Sequence, residues 1–394
     1  MLKGKTVVLG VTGSIAAYKI ANLARMLVKQ HCEVHVLMTQ NATNFINPIT
    51  FETLTKHKCL IDTFDRNFEF SVEHVALAKA ADMVMIAPAS ANVIGKIANG
   101  IADDMLTTTV MACPCKKIVS PAMNHNMFHN PIVQDNIEKL KHYGYEIVEP
   151  AHGMLANGDM GDGRMPDEEL LFEYIVKEIA FEKDMTGKKV LVTAGATVEA
   201  IDPVRFITNH SSGKMGFALA KNAMLRGADV TLVMGKCDSE PPVFVNTVKV
   251  QSAKDMYDAV IERADSMDII VKAAAVADYR PKNVSSEKVK KQDGNMSIEL
   301  ERTDDILKTL GERKNGQFIC GFSMETENML ENSRKKLEKK NCDMIVANNL
   351  KQDGAGFGGN TNIVTLITKD DEVQLEKMTK DEVAEKIFDF ILSR

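Results

Sequence analysis

The stretch from residue 186 to residue 219, TGKKVLVTAGATVEAIDPVRFITNHSSGKMGFAL, constrains the fold most strongly. Residues 188–193 form a β-branched run that predicts a strand, and apolar residues recur at helical spacing from Met215 onward. The polar, glycine-containing segment between them predicts a long loop. A loop that leaves a parallel strand and enters a helix presents unpaired amides and the positive end of the helix dipole. We therefore expect this loop to hold a phosphate group.

Strands and helices alternate elsewhere in the chain as well. Strands are predicted at residues 5–11, 33–38, 83–87, 117–120, 188–193, 229–234 and 268–273. Helices are predicted over 15–30, with Ser14 as the N-cap, and over 252–264. Alternation of this kind is typical of parallel, doubly wound sheets. The sequence thus predicts an α/β protein with two doubly wound, Rossmann-like domains.

The length of 394 residues exceeds what one hydrophobic core usually serves, so two domains are expected. The hydrophobic share of 45% and the charged share of 26% are typical of a folded globular protein. An amphipathic helix is predicted over 168–180, and a short linker leads from it to the strand at 188–193. We place the domains at 1–183 and 184–394.

Charge and cysteine content limit the class of partner and the compartment. A net charge of -6 argues against broad binding to nucleic acid or to anionic membranes. The first residues contain only a short apolar run, so neither a signal peptide nor a transmembrane span is expected, and we expect a cytoplasmic protein. Seven scattered cysteines without a paired spacing predict reduced thiols and no cysteine-based structural zinc site. The close pair Cys113 and Cys115 is expected to be buried.

Several loops of the first domain carry polar residues that admit two interpretations. Small residues at 88–92 permit close contact with a flat ring, whose edge Ser90 and Asn92 could hydrogen-bond, and this suits a flavin. Asp103 and Asp104 precede a helix, where capping explains them as well as chemistry does. His74 is expected at a helix start, where a histidine is more often structural than a general base.

Taken together, these segments resemble a known family. The runs GVTGSIAAYK at 10–19, EH at 73–74, PASAN at 88–92, ADD at 102–104 and PAMN at 121–124 resemble the flavin-dependent cysteine decarboxylases. The runs DPVR at 202–205 and NHSSGKMG at 209–216 resemble phosphopantothenate–cysteine ligase. Nearly end to end, the chain is similar to the bacterial fusions of phosphopantothenoylcysteine decarboxylase with that ligase, which serve coenzyme A synthesis.

The resemblance implies roles in the first domain, which would be flavodoxin-like. FMN would be held by Gly13, Ser14, Ser90 and Asn92. His74 would be the catalytic base, and Asn124 would bind the substrate carboxylate. In this family FMN oxidises the cysteine thiol toward a thioaldehyde, loss of carbon dioxide gives an ene-thiol, and reduced flavin returns the electrons to give phosphopantetheine.

The flap of the first domain departs from the family pattern. The family has a cysteine within Leu-Ala-Cys-Gly that donates a proton in the reductive step, whereas this chain has Asn157. Glycines on either side still predict a mobile lid, and Arg164 could meet a carboxylate or a phosphate. Another acid such as Asp159 could serve, the reaction could stop at the ene-thiol, or the position could have been altered. We hypothesise that decarboxylation persists while reduction is impaired.

The resemblance also implies a CTP- and Mg²⁺-dependent second domain. Its triphosphate would be bound by Lys288, Lys336 and Lys340, and its cytidine site would be formed by Asp278, Asp305, Ile306 and Phe322. Asp278 is also the candidate metal ligand, and Asn209 would stabilise the acyl-cytidylate that the cysteine amine attacks. The spacing of Lys336 and Lys340 predicts one helix face, which could equally face solvent. The basic run at 287–291 could be a solvated charge cluster or a mobile arm.

Two smaller departures affect the ligase assignment. Thr303 and Asp304 replace the family's usual Asn-Pro, and Asn349 replaces its usual aspartate after Ala347-Asn348. The glycine-rich segment 354–359 predicts a flexible loop.

Three functions remain open at this point: the complete bifunctional enzyme, an active ligase fused to a catalytically weak flavin module, and a flavin-binding regulatory protein. In each enzyme the partners are small molecules. The family resemblance further implies trimers of the flavin domain and dimers of the ligase domain, which together give a dodecamer.

Overall fold

The structure is a computed structural model that describes residues 2–64, 73–290, 296–325, 328–349 and 359–394. The chain divides into two compact units, Met1–Phe181 and Glu182–Arg394. This division falls two residues before the boundary placed from the sequence. Residue 291 of the basic run and residues 354–358 of the glycine-rich segment lie outside the described residues. Among the described residues, no helix is long and apolar enough to cross a membrane.

The first unit is built on a sheet of five parallel strands in the order β2-β1-β3-β4-β5. These strands are β1 (Thr6–Val11), β2 (Glu33–Met38), β3 (Met83–Ala89), β4 (Lys116–Pro121) and β5 (Glu146–Ile147). Nearly every residue of β1 and β3 is buried, as expected for strands covered by helices on both faces. The order is that of flavodoxin-like sheets, so the predicted doubly wound fold is confirmed.

Helices cover both faces of this sheet. They are α1 (Ala17–Lys29), α2 (Pro48–Thr55), α3 (Glu73–Ala80), α4 (Ala91–Ala98), α5 (Met105–Ala112), α6 (His125–Phe128), α7 (Pro131–His142) and α8 (Glu168–Ile179), with a 3-10 turn at Gln40–Asn44. Helix α1 is amphipathic and buries Ile20, Leu23 and Leu27. The prediction that Ser14 is its N-cap is wrong. The Ser14 carbonyl instead accepts a hydrogen bond from the Ala17 amide at 3.0 Å, and the helix begins after Ala16.

An antiparallel hairpin, the flap, follows the sheet. It consists of β6 (Ala151–Met154) and β7 (Met160–Arg164). The Met123 amide donates to the Gly163 carbonyl at 3.0 Å, which attaches the flap to the segment after β4. Gly163 has φ 121°, and a Cβ there would lie 2.2 Å from the Met123 carbonyl oxygen. A residue other than glycine would therefore force the flap away from this segment.

The second unit contains a mixed sheet of eight strands in the order β12-β11-β8-β13-β16-β17-β19-β20. These are β8 (Lys189–Ala194), β11 (Asp229–Met234), β12 (Asn246–Lys249), β13 (Ile269–Lys272), β16 (Phe318–Glu325), β17 (Met344–Asn349), β19 (Val364–Ile367) and β20 (Glu372–Gln374). The first six strands of that order are parallel, and the last two pair antiparallel. Both predicted Rossmann-like sheets are thus present.

Within the described part of the second unit, short strand pairs and five helices accompany the sheet. The pairs are β9 (Val198–Ala200) with β10 (Phe206–Thr208), β14 (Tyr279–Pro281) with β15 (Leu300–Arg302), and β18 (Thr361–Asn362) with β21 (Met378–Thr379). The helices are α9 (Lys214–Leu225), α10 (Ala253–Ala264), α11 (Ile306–Arg313), α12 (Met329–Lys339) and α13 (Lys380–Leu392). Met256, Leu310 and Ile270 belong to one buried cluster, through which α10 and α11 pack on the sheet.

The two carboxylates before α5 have different structural roles. Asp104 is the N-cap: it accepts the Thr107 amide at 2.8 Å, and the Thr107 hydroxyl reaches back to the Asp104 amide at 3.2 Å. Asp103 is exposed and pairs with Lys96 at 2.7 Å. The capping interpretation is therefore right for Asp104.

We expect Asp104→Ala to destabilise α5 by about 1 kcal/mol, because it removes a capping box. Asp103→Ala serves as the matched control and should change little, since an exposed ion pair contributes a few tenths of a kcal/mol. Hydrogen exchange of residues 105–112 would measure both effects, with exchange about fivefold faster in the Asp104 variant alone. Equal acceleration in the two variants would contradict the capping role.

Candidate active sites

The first candidate site lies where the strand order of the first sheet reverses. There the buried Thr12 hydroxyl donates to the Pro88 carbonyl at 2.6 Å and accepts the Ser90 amide at 2.8 Å. These bonds join the loop after β1 to the loop after β3. A crevice at such a switch point is the usual ligand site of an open α/β sheet. Thr12 was not predicted, although its position in the turn after β1 was a usable signal.

A cavity of about 560 Å³ opens between the loop after β1, the segment after β4 and the flap. It brings together four of the predicted residues, Ser14, Asn124, Asn157 and Arg164. Apolar side chains form much of its remaining wall, among them Ile15, Tyr18, Met123, Met154 and Met165. The arrangement suits a ligand with one flat apolar part and a few polar groups.

Four predicted residues of the first unit do not line this cavity: Gly13, His74, Ser90 and Asn92. A Cβ on Gly13 would lie 2.8 Å from the Asn41 Cβ, so this glycine permits close packing. Ser90 is the N-cap of α4 and accepts the Val93 amide at 3.4 Å. His74 is the second residue of α3, as predicted, and is half-buried. Ligand contacts of these four residues stay predictions.

The charges around the cavity favour an anionic ligand. Lys19 and Arg164 both line it, and both pair with Asp167, at 2.8 Å and 3.3 Å. Lys19, followed by Arg164, holds the pKa of Asp167 below its usual value. One carboxylate thus accompanies two cations, which leaves positive charge at the cavity. The lysine was part of the recognised run at 10–19 but was not predicted as a site residue.

At the tip of the flap, Asn157 is oriented by its neighbour Asp159. Its side-chain amide donates to the Asp159 carboxylate at 2.6 Å, and the Asp159 backbone amide donates back to Asn157 at 3.3 Å. Asn157 therefore contributes a fixed amide to the cavity wall, where a proton donor was expected from the family pattern.

The second candidate site is a cavity of about 230 Å³ in the second unit. The segments at 211–216 and 272–278 form its walls together with Phe322 and Lys336. The predicted Asp278, Phe322 and Lys336 all line it. The loop that was expected to hold a phosphate also reaches it, through Ser211, Ser212 and Gly213 at the beginning of α9.

Buried threonines fix the loops of this second cavity. The Thr193 hydroxyl accepts the Ala274 amide, and the Thr197 hydroxyl accepts the Ala277 amide, each at 3.0 Å. The side-chain amide of Asn209 donates to the Ala275 carbonyl at 3.4 Å, which places it beside the cavity wall.

Other predicted ligase residues lie outside the lining of the cavity. Ile306 is buried in the hydrophobic core of the second unit, and Lys288 is exposed. Asp305 caps α11 by accepting the Lys308 amide at 2.9 Å and pairs with Lys340. Burial acts to raise the pKa of Asp305, but Lys340 and the Lys308 amide outweigh it and hold the pKa below its usual value. Lys340 is the C-cap of α12, and its amide donates to the Lys336 carbonyl at 3.0 Å, so the two lysines lie one helical turn apart, as the spacing predicted.

Sequence reasoning missed the lysine that ends β13. Lys272 lines the cavity, and burial, reinforced by Lys336, lowers its pKa to about 8. Asp305 and Asp278 oppose that shift. Lys380 also lines the cavity, and its pKa is lowered by burial and by Lys214. The sequence does contain an indication of Lys272, because this lysine ends the apolar run IIVK of a predicted strand.

Asn348, which directly precedes the sequence departure at Asn349, also lines this cavity. Its side-chain amide donates to the Asn362 side-chain oxygen at 3.0 Å. All seven cysteines are free, with Cys113 buried as predicted and Cys115 half-buried.

Comparisons with known proteins cover both units. The Flavoprotein family matches residues 1–180, and the family of the DNA/pantothenate metabolism flavoprotein C-terminal domain matches residues 185–394. The coenzyme A biosynthesis bifunctional protein CoaBC of Bacillus subtilis (strain 168) is 48% identical over 373 residues, which cover 94% of this chain and 92% of that protein. The protein of the same name from Vibrio cholerae serotype O1 is 43% identical over 393 residues, which cover 99% and 98%.

A solved structure of the C-terminal domain of a coenzyme A biosynthesis bifunctional protein CoaBC is 49% identical; the match covers 52% of this chain and 95% of that one, with a TM-score of 0.46. The near full-length identity to the curated relatives confirms the resemblance drawn from the sequence motifs. The chain belongs to the family of coenzyme A biosynthesis bifunctional proteins, with an N-terminal flavoprotein domain and a C-terminal domain of the DNA/pantothenate metabolism type.

Proposed function

We propose that the second unit couples 4′-phosphopantothenate to cysteine with CTP and Mg²⁺, and that the first unit converts the product to 4′-phosphopantetheine with FMN. The observation that carries this proposal is the presence, in one chain, of a flap-covered cavity at a flavodoxin-like switch point and a lysine-rich cavity at a second sheet edge. The similarity to coenzyme A biosynthesis bifunctional proteins supports a role in that synthesis.

The first cavity fits a flavin. Its volume lies within the roughly 300–1,000 Å³ typical of cofactor sites, and it combines apolar walls with a polar loop at the switch point. FMN, when bound, would supply the oxidation of the cysteine thiol that protein side chains cannot. Ser14 would bind its phosphate, and Ser90 and Asn92 would bind the ring from the loop after β3. The side-chain oxygen of Asn124 accepts the Asn126 amide at 2.9 Å, which orients its amide to bind the substrate carboxylate.

His74 is the proposed base, although it does not line the cavity of its own unit. In the proposed trimer, flavin sites are shared between subunits, so His74 would act in the site of a neighbouring copy. Ile15 and Tyr18, 55% and 60% exposed beside the cavity, support a neighbour there, because apolar side chains of this size favour burial. Dimers of the second unit would complete the proposed dodecamer.

In the second cavity, lysines would bind the triphosphate of CTP. Lys272 and Lys336 line the cavity. Lys340 forms an ion pair with Asp305, and Lys288 would approach the triphosphate from its exposed loop. One carboxylate together with substrate phosphates is a usual donor set for Mg²⁺, and Asp278 fits it. The lysines would neutralise charge that develops at phosphorus as the phosphopantothenate carboxylate attacks. Asn209 would then stabilise the acyl-cytidylate, and Asp305, Ile306 and Phe322 would shape the cytidine site.

The proposal includes a cytoplasmic location, since seven free thiols suit a reducing compartment. Its partners are small molecules.

The proposed function is tested by incubating the purified chain with phosphopantothenate, cysteine, CTP and Mg²⁺ while the flavin spectrum is recorded. We expect CMP and phosphopantothenoylcysteine or its decarboxylated products by mass spectrometry. Omission of CTP is the control and should abolish coupling. A yellow protein without CTP-dependent turnover would overturn the ligase assignment and favour the flavin-binding regulatory protein.

A second candidate, in which the first unit is impaired in its reductive step, is favoured by Asn157 at the cavity wall. An amide cannot donate a proton as a thiol does, so we expect decarboxylated ene-thiol to accumulate ahead of phosphopantetheine. Asn157→Cys should speed phosphopantetheine formation about a hundredfold, at the lower end of what a general acid contributes. Asn157→Ser is the matched control, because it changes size and polarity without supplying a thiol. Rapid phosphopantetheine formation by the unaltered chain would show that another acid, such as Asp159, serves.

We expect Lys272 to lower the stability of the folded protein and to strengthen its binding of CTP. Its pKa of about 8 lies below the value of 10.5 for an unperturbed lysine, so the unfolded chain binds more protons and stability rises with pH between these values. Lys272→Met should flatten this rise and increase the Tm at pH 7. The Kd for CTP should increase about tenfold, because a charged contact is lost.

These effects would be measured by thermal unfolding at several pH values and by calorimetric titration with CTP. Lys254→Met, which removes a largely exposed lysine of α10, is the control and should alter neither property. A Lys272 variant that is less stable at pH 7, or that binds CTP unchanged, would contradict the assignment.

A further inference from the structure

Three imidazoles and one carboxylate meet beside the first cavity, in a group that we call the histidine cluster: His125, His129, His152 and Asp162. His125 and His129 belong to α6, directly after the predicted substrate residue Asn124. His152 and Asp162 face each other across the two strands of the flap. The cluster therefore joins two segments that both border the cavity.

Asp162 lies at the centre of this cluster. One of its carboxylate oxygens is 2.9 Å from His129 Nε2, and the other is 2.9 Å from His152 Nδ1. Its backbone amide donates to His125 Nδ1 at 3.1 Å.

The close approach of these groups depends on a glycine in the flap. A Cβ on Gly161 would lie 2.7 Å from His125 Nδ1 and 2.9 Å from its Cγ. The His125 ring therefore occupies space that any other residue at position 161 would fill. The rings of His125 and His129 are 4.4 Å apart, with their planes at 64°.

The spacing of the donor atoms is close to that of a metal site. One ligand atom each from His125, His129 and Asp162 lie within 4.8 Å of one another. In a tetrahedral zinc site, with bonds of about 2.0–2.2 Å, neighbouring ligand atoms lie about 3.3 Å apart. Small side-chain movements would close the difference, and His152, whose Nδ1 lies 2.9 Å from the Asp162 carboxylate, could supply the fourth ligand. Imidazole and carboxylate donors suit Zn²⁺ and similar divalent ions.

We propose that the histidine cluster binds one divalent transition-metal ion of the zinc class, which fastens the flap to α6. Two ligands would come from each segment, so opening the flap would require breaking bonds to the ion. The flap carries Asn157 and Arg164, which line the cavity, and the ion would thus slow exchange of ligands there. This inference goes beyond the proposed function, and its test does not depend on turnover.

A second group of potential ligands, Glu33, His35 and His57, provides an internal comparison. Its histidine rings pack 4.3 Å apart, and burial lowers the pKa of His35. The residues of this group lie on β2 and just beyond α2, and the flap contributes none of them. A variant in this group removes a histidine and leaves the histidine cluster intact.

Metal binding is measured on the full chain by calorimetric titration with Zn²⁺ and by the visible absorption of Co²⁺ in its place. His129→Asn and Asp162→Asn should each weaken binding of one equivalent at least tenfold, since even loss of an indirect partner of a metal ligand costs 10–100-fold. His35→Asn is the matched control and should leave that equivalent unchanged. Circular dichroism would verify that each variant is folded.

Three outcomes would overturn the proposal: absence of Zn²⁺ binding at micromolar concentrations, unchanged binding in both cluster variants, or loss of binding in the His35 variant alone. A second measurement tests the flap itself. Hydrogen exchange of residues 151–164 should slow when Zn²⁺ is added to the unaltered chain and should not respond in the Asp162 variant. If Zn²⁺ binds but hydrogen exchange of the flap stays unchanged, the ion does not fasten the flap to α6.

Discussion

Both cavities depend on buried threonine hydroxyls that satisfy loop backbone at the carboxyl ends of parallel strands. A loop that leaves a buried strand carries polar groups that lose water, and each unpaired group costs about 1–3 kcal/mol. Thr12 pairs with the loop after β3, while Thr193 and Thr197 pair with the loop after β13. Each hydroxyl fixes the position of a neighbouring strand's loop, so the walls of each cavity are set before a ligand arrives.

The two cavities handle charge in different ways. In the first, Lys19 and Arg164 line the cavity, and Asp167 partly compensates their charge. In the second, Lys272 is desolvated near Lys336, and the pKa of Lys272 is lowered as a result. An unliganded site of this second kind stores unfavourable electrostatic energy, which an anion would relieve on binding.

The flap shows how glycines allow a hairpin to pack closely against its neighbours. Gly161 lies against the His125 ring, and Gly163 lies against the Met123 carbonyl. These contacts hold the flap so that Asn157 and Arg164 line the cavity. The histidine cluster lies at the same junction, so any ligand of that cluster acts directly on the flap.

Short β-branched and apolar runs that alternate with helical patterns predicted the fold class of both sheets, and β2 and β11 coincide with their predicted ranges. Five strands of the second sheet, β12, β16, β17, β19 and β20, were not predicted. Turn and loop patterns also placed Ser14, Asn124 and Asp278 near cavities, because loops at strand ends meet at one sheet edge. The family resemblance alone pointed to Phe322. The prediction that Ser14 caps α1 was wrong, because a backbone hydrogen bond in the turn shifts the start of the helix to Ala17.

Contacts between residues far apart in the chain could not be predicted from local sequence patterns. Thr12 with Ser90, Lys272 with Lys336, and His129 with Asp162 each join separate segments. The sequence by itself determined the alternation of strands and helices, because that depends on neighbouring residues. Only the tertiary structure decided which charges, hydroxyls and imidazoles share a site, because burial and pKa depend on distant residues that the fold brings together.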